Sequence, residues 1–348
     1  MTTASELLVG EIIDGWKVEE RTKSYPGATG GHFSNSYVVS KNGLSAFLKA
    51  MDLHTAITKG LDEVQRVTTQ FNFEKQLLTL CRDRRLSKIV RLIADGEYIV
   101  QNIPNGLSDD LNRVYYLIFE LADGDIRKEL SFGGVVSYAW KANVLHQIAV
   151  ALTQLHNNRI AHQDLKPSNV LSFNDEQSFK LADLGRSSSM HISAPTDELL
   201  FPGDFNYAPP EYLYRHVPLD FHDRRFGSDA YLLGSMISFL FLGVSALTLT
   251  LDRVDNALKP GIWIGEYSDV LPFLITAHTE ATNSMKKYLP INFQDEISTI
   301  YFQLCHPDPY IRGYPKARKQ VGRPIGLDRY VSKFNLLRHK LKVIKKSI

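Results

Sequence analysis

Apolar and polar positions first alternate along the chain and then recur at helical spacing. Trp16-Lys-Val-Glu-Glu-Arg, Ser36-Tyr-Val-Val-Ser and Ala46-Phe-Leu-Lys-Ala read as short strands, with Lys41-Asn-Gly as a hairpin turn between the last two. A helix is predicted from about Leu61 to Arg82, where Phe71, Leu77, Leu78 and Cys81 share an apolar face. Lys88-Ile-Val-Arg-Leu-Ile-Ala-Asp-Gly and Tyr115-Tyr-Leu-Ile-Phe-Glu-Leu read as further strands. From Ser137 to Asn157, Val144, Ile148, Leu152 and Leu155 fall at spacings of four, four and three, the stripe of a long helix. A short apolar hairpin follows at Val170-Leu171 and Phe179-Lys-Leu.

From Ala230 to Leu251 no residue is charged. Length alone admits a membrane span. Ser235, Ser238, Ser245, Thr248 and Thr250 dilute the run, and Asp229 and Asp252 bound it closely, so it reads as a buried core helix with a loop after Gly243.

The 348 residues are enough for two lobes or one large domain. With 44% hydrophobic and 22% charged residues the composition is that of an ordinary soluble protein, and a formal net charge of +2 gives no overall bias toward nucleic acid or membrane. Cys81 and Cys305 are too few for a disulfide framework or a zinc site. Glu6 and Glu11 flank the only short apolar run near Met1, which does not resemble a signal peptide, and a reducing, cytoplasmic location is expected.

The chemistry concentrates in His162-Gln-Asp-Leu-Lys-Pro-Ser-Asn169, followed fourteen residues later by Asp183-Leu-Gly. Asp164 can orient a hydroxyl and accept its proton, and Lys166 can neutralise charge on a moving phosphoryl group. Asn169 and Asp183 can hold Mg²⁺ against nucleotide phosphates. Positioning and charge neutralisation supply nearly all the catalysis of phosphoryl transfer. Each residue alone is common in loops; the joint spacing between a helix and a strand hairpin is the signal.

This set resembles the catalytic loop and metal-binding motif of eukaryotic-like serine/threonine protein kinases. The resemblance covers about residues 11 to 320 and implies an α+β, two-lobed protein-kinase-like fold. A small β-rich lobe would span 11–123 and a large, mainly helical lobe 124–320, with ATP and Mg²⁺ between them and a protein as substrate. It implies that Lys49, ending Ala-Phe-Leu-Lys, grips phosphates and pairs with Glu74, with Glu63 as the competitor for that role and an insertion around Thr55 to Val64. Of the family's Gly-x-Gly-x-x-Gly-x-Val loop only Gly31 matches, with Gly30 beside it. Glu120 and Ala122, with Leu121, would form the adenine-binding hinge, Phe119 would back the adenine pocket, and Asp125 would reach ribose or simply be a solvated turn residue.

His162 would scaffold the loop rather than move protons, and Asp229 would accept from catalytic-loop N–H groups. Glu211 of Tyr207-Ala-Pro-Pro-Glu would form a buried ion pair with Arg312. Two departures stand out. Gln163 replaces the Arg that normally receives an activation-segment phosphate, which predicts activity without that phosphorylation. Asp204 replaces a Thr that bridges the catalytic Asp and Lys; pairing with Lys166 is open to it, against the cost of two neighbouring carboxylates, which raises one pKa. Ser187, Ser188, Ser189, Ser193 and Thr196 are candidate autophosphorylation sites. The weakened glycine loop keeps open a pseudokinase scaffold, and a small-molecule phosphotransferase is the other rival.

Residues 321–348 lie outside the resemblance. Between Lys316 and Ile348 there are eleven Lys or Arg and one acid, Asp328, and Tyr330, Phe334, Leu337, Leu341, Ile344 and Ile348 form a narrow apolar seam. This basic amphipathic helix has three readings: docking on the large lobe, binding a partner helix or an acidic membrane surface, or touching nucleic acid. Sparse aromatics disfavour the last.

Overall fold

Strand alternation builds the first lobe. The computed structural model describes residues 3–22, 34–101, 112–131, 136–175 and 177–344. β1 (Ile12–Ile13), β2 (Trp16–Arg21), β3 (Ser34–Lys41), β4 (Leu44–Met51), β5 (Leu92–Ile99) and β6 (Arg113–Glu120) form one antiparallel sheet in the order β1-β2-β3-β4-β6-β5. Asn42 and Gly43 close the β3–β4 hairpin with φ of 51° and 77°, the left-handed pair that a two-residue turn requires. Val18, Tyr37, Val39, Leu48 and Ile118 bury one face of the sheet. The predicted strand at Lys88 starts later than expected: Ile89 makes only an isolated parallel bridge to Leu181, and regular pairing begins at Leu92.

Between β4 and β5 lie two helices. α1 (Leu53–Lys59) is capped by Asp52, whose carboxylate accepts from Thr55 N at 3.1 Å. Gly60, at φ 117°, ends it and starts α2 (Leu61–Asp83). The expected insertion is therefore largely this extra helix. α2 turns Phe73, Leu77, Leu78 and Cys81 toward the core.

The larger lobe packs on α4. β7 (Gly124–Asp125) and α3 (Ile126–Ser131) lead from the first lobe toward α4 (Tyr138–Asn157), whose first turn is capped by Ser137. Its predicted stripe of Val144, Ile148, Leu152 and Leu155 is fully buried. β8 (Ile160–Ala161) pairs with β11 (Ser188–Ser189), and β9 (Val170–Phe173) lies between β10 (Ser178–Leu181) and β7. α5 (Pro210–Leu213) and a single π-helical turn at His222–Phe226 precede α6 (Gly227–Leu242). α6 is buried along nearly its whole length and ends at Gly243 with φ 79°. Among the described residues no helix is long and apolar enough to cross a membrane. α7 (Ala246–Leu251), α8 (Tyr267–Met285), α9 (Gln294–Leu304) and α10 (Pro315–Arg318) complete the lobe.

The basic tail forms α11 (Leu327–Ile344) and lies along α4. Tyr330, Phe334 and Leu337 are fully buried and Leu341 nearly so, while Arg338 donates to Asn143 Oδ1 of α4 at 3.1 Å. The seam is thus covered by the chain's own large lobe and is not open to a partner helix or membrane, whereas Arg329, Lys340 and Lys342 face solvent. Ile348 lies outside the described residues.

Candidate active site

Lys49 sits on β4, its neighbours Leu48 and Ala50 buried in the sheet. Its Nζ is 2.9 Å from Oε2 and 3.2 Å from Oε1 of Glu74, midway along α2. Burial works against the Lys49 charge, but Glu74 and Asp183 outweigh it and raise the ammonium pKa. Glu63 pairs instead with Arg66 on its own helix.

The loop after β8 gathers the remaining groups. Asp164 is buried, with Oδ2 3.1 Å from Lys166 Nζ. Asn169 Nδ2 donates to the Asp164 carbonyl at 2.8 Å and to its Oδ2 at 3.2 Å. Asp204 turns its backbone N–H to Asp164 Oδ1 at 3.0 Å, and its own carboxylate lies 3.9 Å from Lys166, a pairing at long range. Burial raises the Asp164 pKa against the pull of Lys166, and the Asp183 charge adds to the rise.

Asp183 opens to solvent and has φ 65°, a left-handed conformation uncommon for a non-glycine residue. Desolvation works to push its carboxyl up, but the nearby charges, Lys49 foremost and then Lys166, outweigh it and hold it below the usual range, as the anion. A Cβ on Gly185 would sit 3.4 Å from Asp183 Oδ1 and 3.6 Å from Glu74 Oε2, so the Asp-Leu-Gly turn lies against the α2 carboxylate. Lys49, Glu74, Asp164, Lys166, Asn169 and Asp183 therefore come together in one cluster.

Asp229, fully buried at the start of α6, supports this loop from below. It accepts from the N–H groups of His162 and Gln163 at 2.8 Å each and from His156 Nε2 at 2.8 Å. His162 uses both ring nitrogens on the scaffold: Nε2 donates to the Ala182 carbonyl at 3.1 Å and Nδ1 accepts from Asp164 N at 3.3 Å.

Mg²⁺ favours one or two protein oxygens completed by phosphates and water. The anionic, open Asp183 and the Asn169 amide oxygen, whose NH₂ is already committed to Asp164, fit that donor set. Among the described residues no three His, Cys, Asp or Glu side chains form an all-protein metal cage, and this ion does not require one.

The hinge residues are placed less simply. Glu120 spends both carboxylate oxygens on Lys180 at 2.6 Å, and Oε1 also accepts from Arg91 N at 2.7 Å, so its side chain ties the end of β6 to β10 and to the residue before β5. Leu121 and Ala122 lie just past the end of β6. The Asp125 carboxylate is held by Arg127, with three contacts of 2.9 Å, which leaves it engaged rather than waiting for a ribose. Gly30 and Gly31 lie outside the described residues.

The segment after Asp183 corrects part of the sequence reading. Ser187, Ser188 and Thr196 are buried and unavailable for modification in this conformation, whereas Ser193 is exposed. Its turn at residues 194–199 rests on two arginines that sequence reasoning missed. Arg224 and Arg225 both donate to the Asp197 carbonyl, at 3.2 and 3.0 Å, and Arg224 also reaches the Leu199 carbonyl at 3.1 Å. Arg225, almost fully buried, has its carbonyl held by Gln163 Nε2 at 2.8 Å. A Cβ on Gly203 would fall 2.2 Å from the Gln163 carbonyl, so only glycine lets the segment pass this close to the loop. Further on, Arg312 and Glu211, both fully buried, make two parallel contacts of 2.8 Å. Gln70 was also missed; from α2 it donates to the Gly185 carbonyl at 3.3 Å.

The family model described as "Protein kinase domain" matches residues 39–313. The chain belongs to the protein kinase family. Among curated proteins it is similar to the Aurora kinase of Candida glabrata, 28% identical over 216 residues, which is 62% of this chain and 52% of that protein. It also matches cyclin-dependent kinase B2-1 of Arabidopsis thaliana, 30% identical over 133 residues (36% of this chain, 42% of that one). The Aurora kinase of Debaryomyces hansenii is 32% identical over 108 residues, covering 31% of this chain and 26% of that protein. The matches thus span between about a quarter and about half of these kinases' lengths.

Proposed function

We propose that the chain is a serine/threonine protein kinase that transfers the γ-phosphoryl group of ATP, with Mg²⁺, to hydroxyls of protein substrates. The observation that carries this reading is the convergence of Lys49–Glu74, Asp164–Lys166 and Asn169 with Asp183. In this reading Asp164 orients the substrate hydroxyl and takes its proton at a carboxylate oxygen, and Lys166 neutralises charge beside it. Lys49, held by Glu74, fixes the nucleotide phosphates, and Asn169 and Asp183 hold Mg²⁺, which when bound shields phosphate charge. The sequence Asp-Leu-Lys-Pro-Ser-Asn supports Ser/Thr over Tyr specificity, as does the likeness to kinases of the Aurora and cyclin-dependent groups.

Independence from activation-segment phosphorylation belongs to the same proposal. It is supported by Gln163, which offers no charge to a phosphate, and by Arg224 and Arg225, which already anchor the segment through main-chain carbonyls. A cytoplasmic setting is proposed with it, from the sequence alone.

Incubation with labelled ATP, Mg²⁺ and a generic protein substrate tests the reading. Label is expected on Ser or Thr and absent with Asp164→Ala. ATP binding without transfer to either kinase or substrate would instead identify a nucleotide-binding scaffold.

A further inference from the structure

Behind the catalytic loop the large lobe holds a cleft, of about 590 Å³, between the end of α4, the π-helical turn and the 314–329 segment. This size lies within the range of ligand-binding clefts. Its apolar floor presents half-buried Tyr314 and Pro324, backed by buried Phe226, Ile325 and Leu327. The His156 ring stacks on Phe226 with centroids 4.0 Å apart, and the His222 ring meets it edge-on at 5.1 Å.

The rim is cationic. Arg159, Lys316 and Arg329 line the cleft and are exposed. Its one acidic lining residue, Asp328, lies 3.4 Å from Arg329. Among the described residues neither Arg159 nor Lys316 has an ion-pair partner. An apolar seat under unneutralised positive charge is complementary to an apolar side chain flanked by carboxylates. A small inorganic anion would leave the aromatic floor unused. A plain aliphatic ligand would leave the rim unpaired.

We propose that this cleft is a docking site for an acidic peptide segment of a partner protein. The peptide seats one aromatic or branched aliphatic side chain against His222, Tyr314 and Pro324, and its carboxylates meet Arg159, Lys316 and Arg329. The site adjoins the catalytic machinery: His156, in its wall, donates to Asp229, which also receives the His162 and Gln163 N–H groups. The Arg159 carbonyl accepts from Met190 N, just after β11, at 3.0 Å. A docked partner thus touches residues that brace both the catalytic loop and the segment after Asp183. Binding does not depend on the proposed phosphoryl transfer, so failure of one idea leaves the other standing.

The test is fluorescence anisotropy of the full chain with a fluorescein-labelled peptide, Glu-Asp-Glu-Phe-Asp-Glu, joined to hydrogen exchange of the same complex. Saturable binding is expected, weakened by about tenfold or more in a Lys316→Glu, Arg329→Glu variant and by a similar factor when the peptide's Phe is replaced by Ala. Both substituted residues are exposed, so the variant is expected to keep its fold, which its melting curve checks. Hydrogen exchange is expected to slow at 153–159 and 314–329. Absence of saturable binding would overturn the proposal, as would protection confined to 333–344. Equal affinity for the charge-reversed variant or for the Ala peptide would reduce the effect to diffuse attraction by the basic surface. Displacement by inorganic pyrophosphate as readily as by unlabelled peptide would make it a small-anion site.

Discussion

Lys49 Nζ and Glu74 Oε2 stand 2.9 Å apart, joining β4 of the small-lobe sheet to the middle of α2. Glu74 is buried, so Lys49 is the counter-charge that holds α2 against the sheet, and in the proposed function it is also the cation that meets the phosphates. Lys49→Met is expected to lower kcat/KM by roughly a hundredfold or more, the scale of losing one preorganised charge at a phosphoryl group. Glu74→Gln keeps a hydrogen-bond acceptor and is expected to cost less, mainly through a raised KM for ATP. Steady-state kinetics on both variants checks the order; equal losses would mean that Glu74 does more than position Lys49.

Asp164 predicts a pH signature. Burial lifts its pKa above the ordinary 3.8, while Lys166 pulls it back. The acid limb of kcat/KM set by this group is therefore expected above the usual aspartate range, and Lys166→Gln is expected to move it further toward neutral pH. The sign for stability is opposite to that of a carboxylate whose folded pKa is lowered. Between the unfolded and folded pKa values the native state holds the extra proton, so raising the pH through that window costs stability. Asp164→Asn, which removes this charge but retains an acceptor for the Asp204 N–H, is expected to abolish turnover and raise Tm at pH 7.

Glu211 and Arg312 form a fully buried, two-pronged ion pair between α5 and the segment after α9. Removing one partner leaves a charge without compensation and is expected to cost about 3–5 kcal/mol in urea unfolding. Arg312 also donates to the carbonyls of His306 at 2.9 Å and Pro307 at 3.2 Å. Arg312→Ala orphans those groups as well, so it is expected to be the more damaging of the two and Glu211→Gln the milder.

What the sequence revealed follows from the range of the interactions involved. The α4 stripe and the Asn42-Gly43 turn were legible because 3.6-residue periodicity and left-handed turn geometry are local properties. The α11 seam was legible as a seam, but its covering surface was not, because α4 lies almost two hundred residues earlier in the chain, as the 195-residue separation of Arg338 and Asn143 shows. Asp125 stood in the expected hinge stretch, yet the side chain of Arg127, two residues on, claims its carboxylate. No residue pattern announces which way such a side chain folds back. Arg225 was missed for a related reason. It precedes the legible Asp229 by one helical turn, but its partners Asp197 and Gln163 are 28 and 62 residues away.

Arg225 supports the last prediction. The Arg that would receive an activation-segment phosphate is absent at Gln163, and Arg224 and Arg225 bond the Asp197 carbonyl directly. Main-chain acceptors need no modification, so phosphatase treatment is expected to leave activity unchanged. Arg225→Ala removes one donor to Asp197 and the contact with Gln163 Oε1, and it is expected to lower kcat by about tenfold with KM for ATP unaltered. Gln163→Arg, which restores the residue usual in the family, is expected to harm rather than help. Burial and the neighbouring Arg224 already lower the Arg225 pKa, and another guanidinium against it would add like-charge repulsion in a site with little solvent. Activity that rises in Gln163→Arg and then becomes sensitive to phosphatase would show that the two arginines are not the segment's anchor.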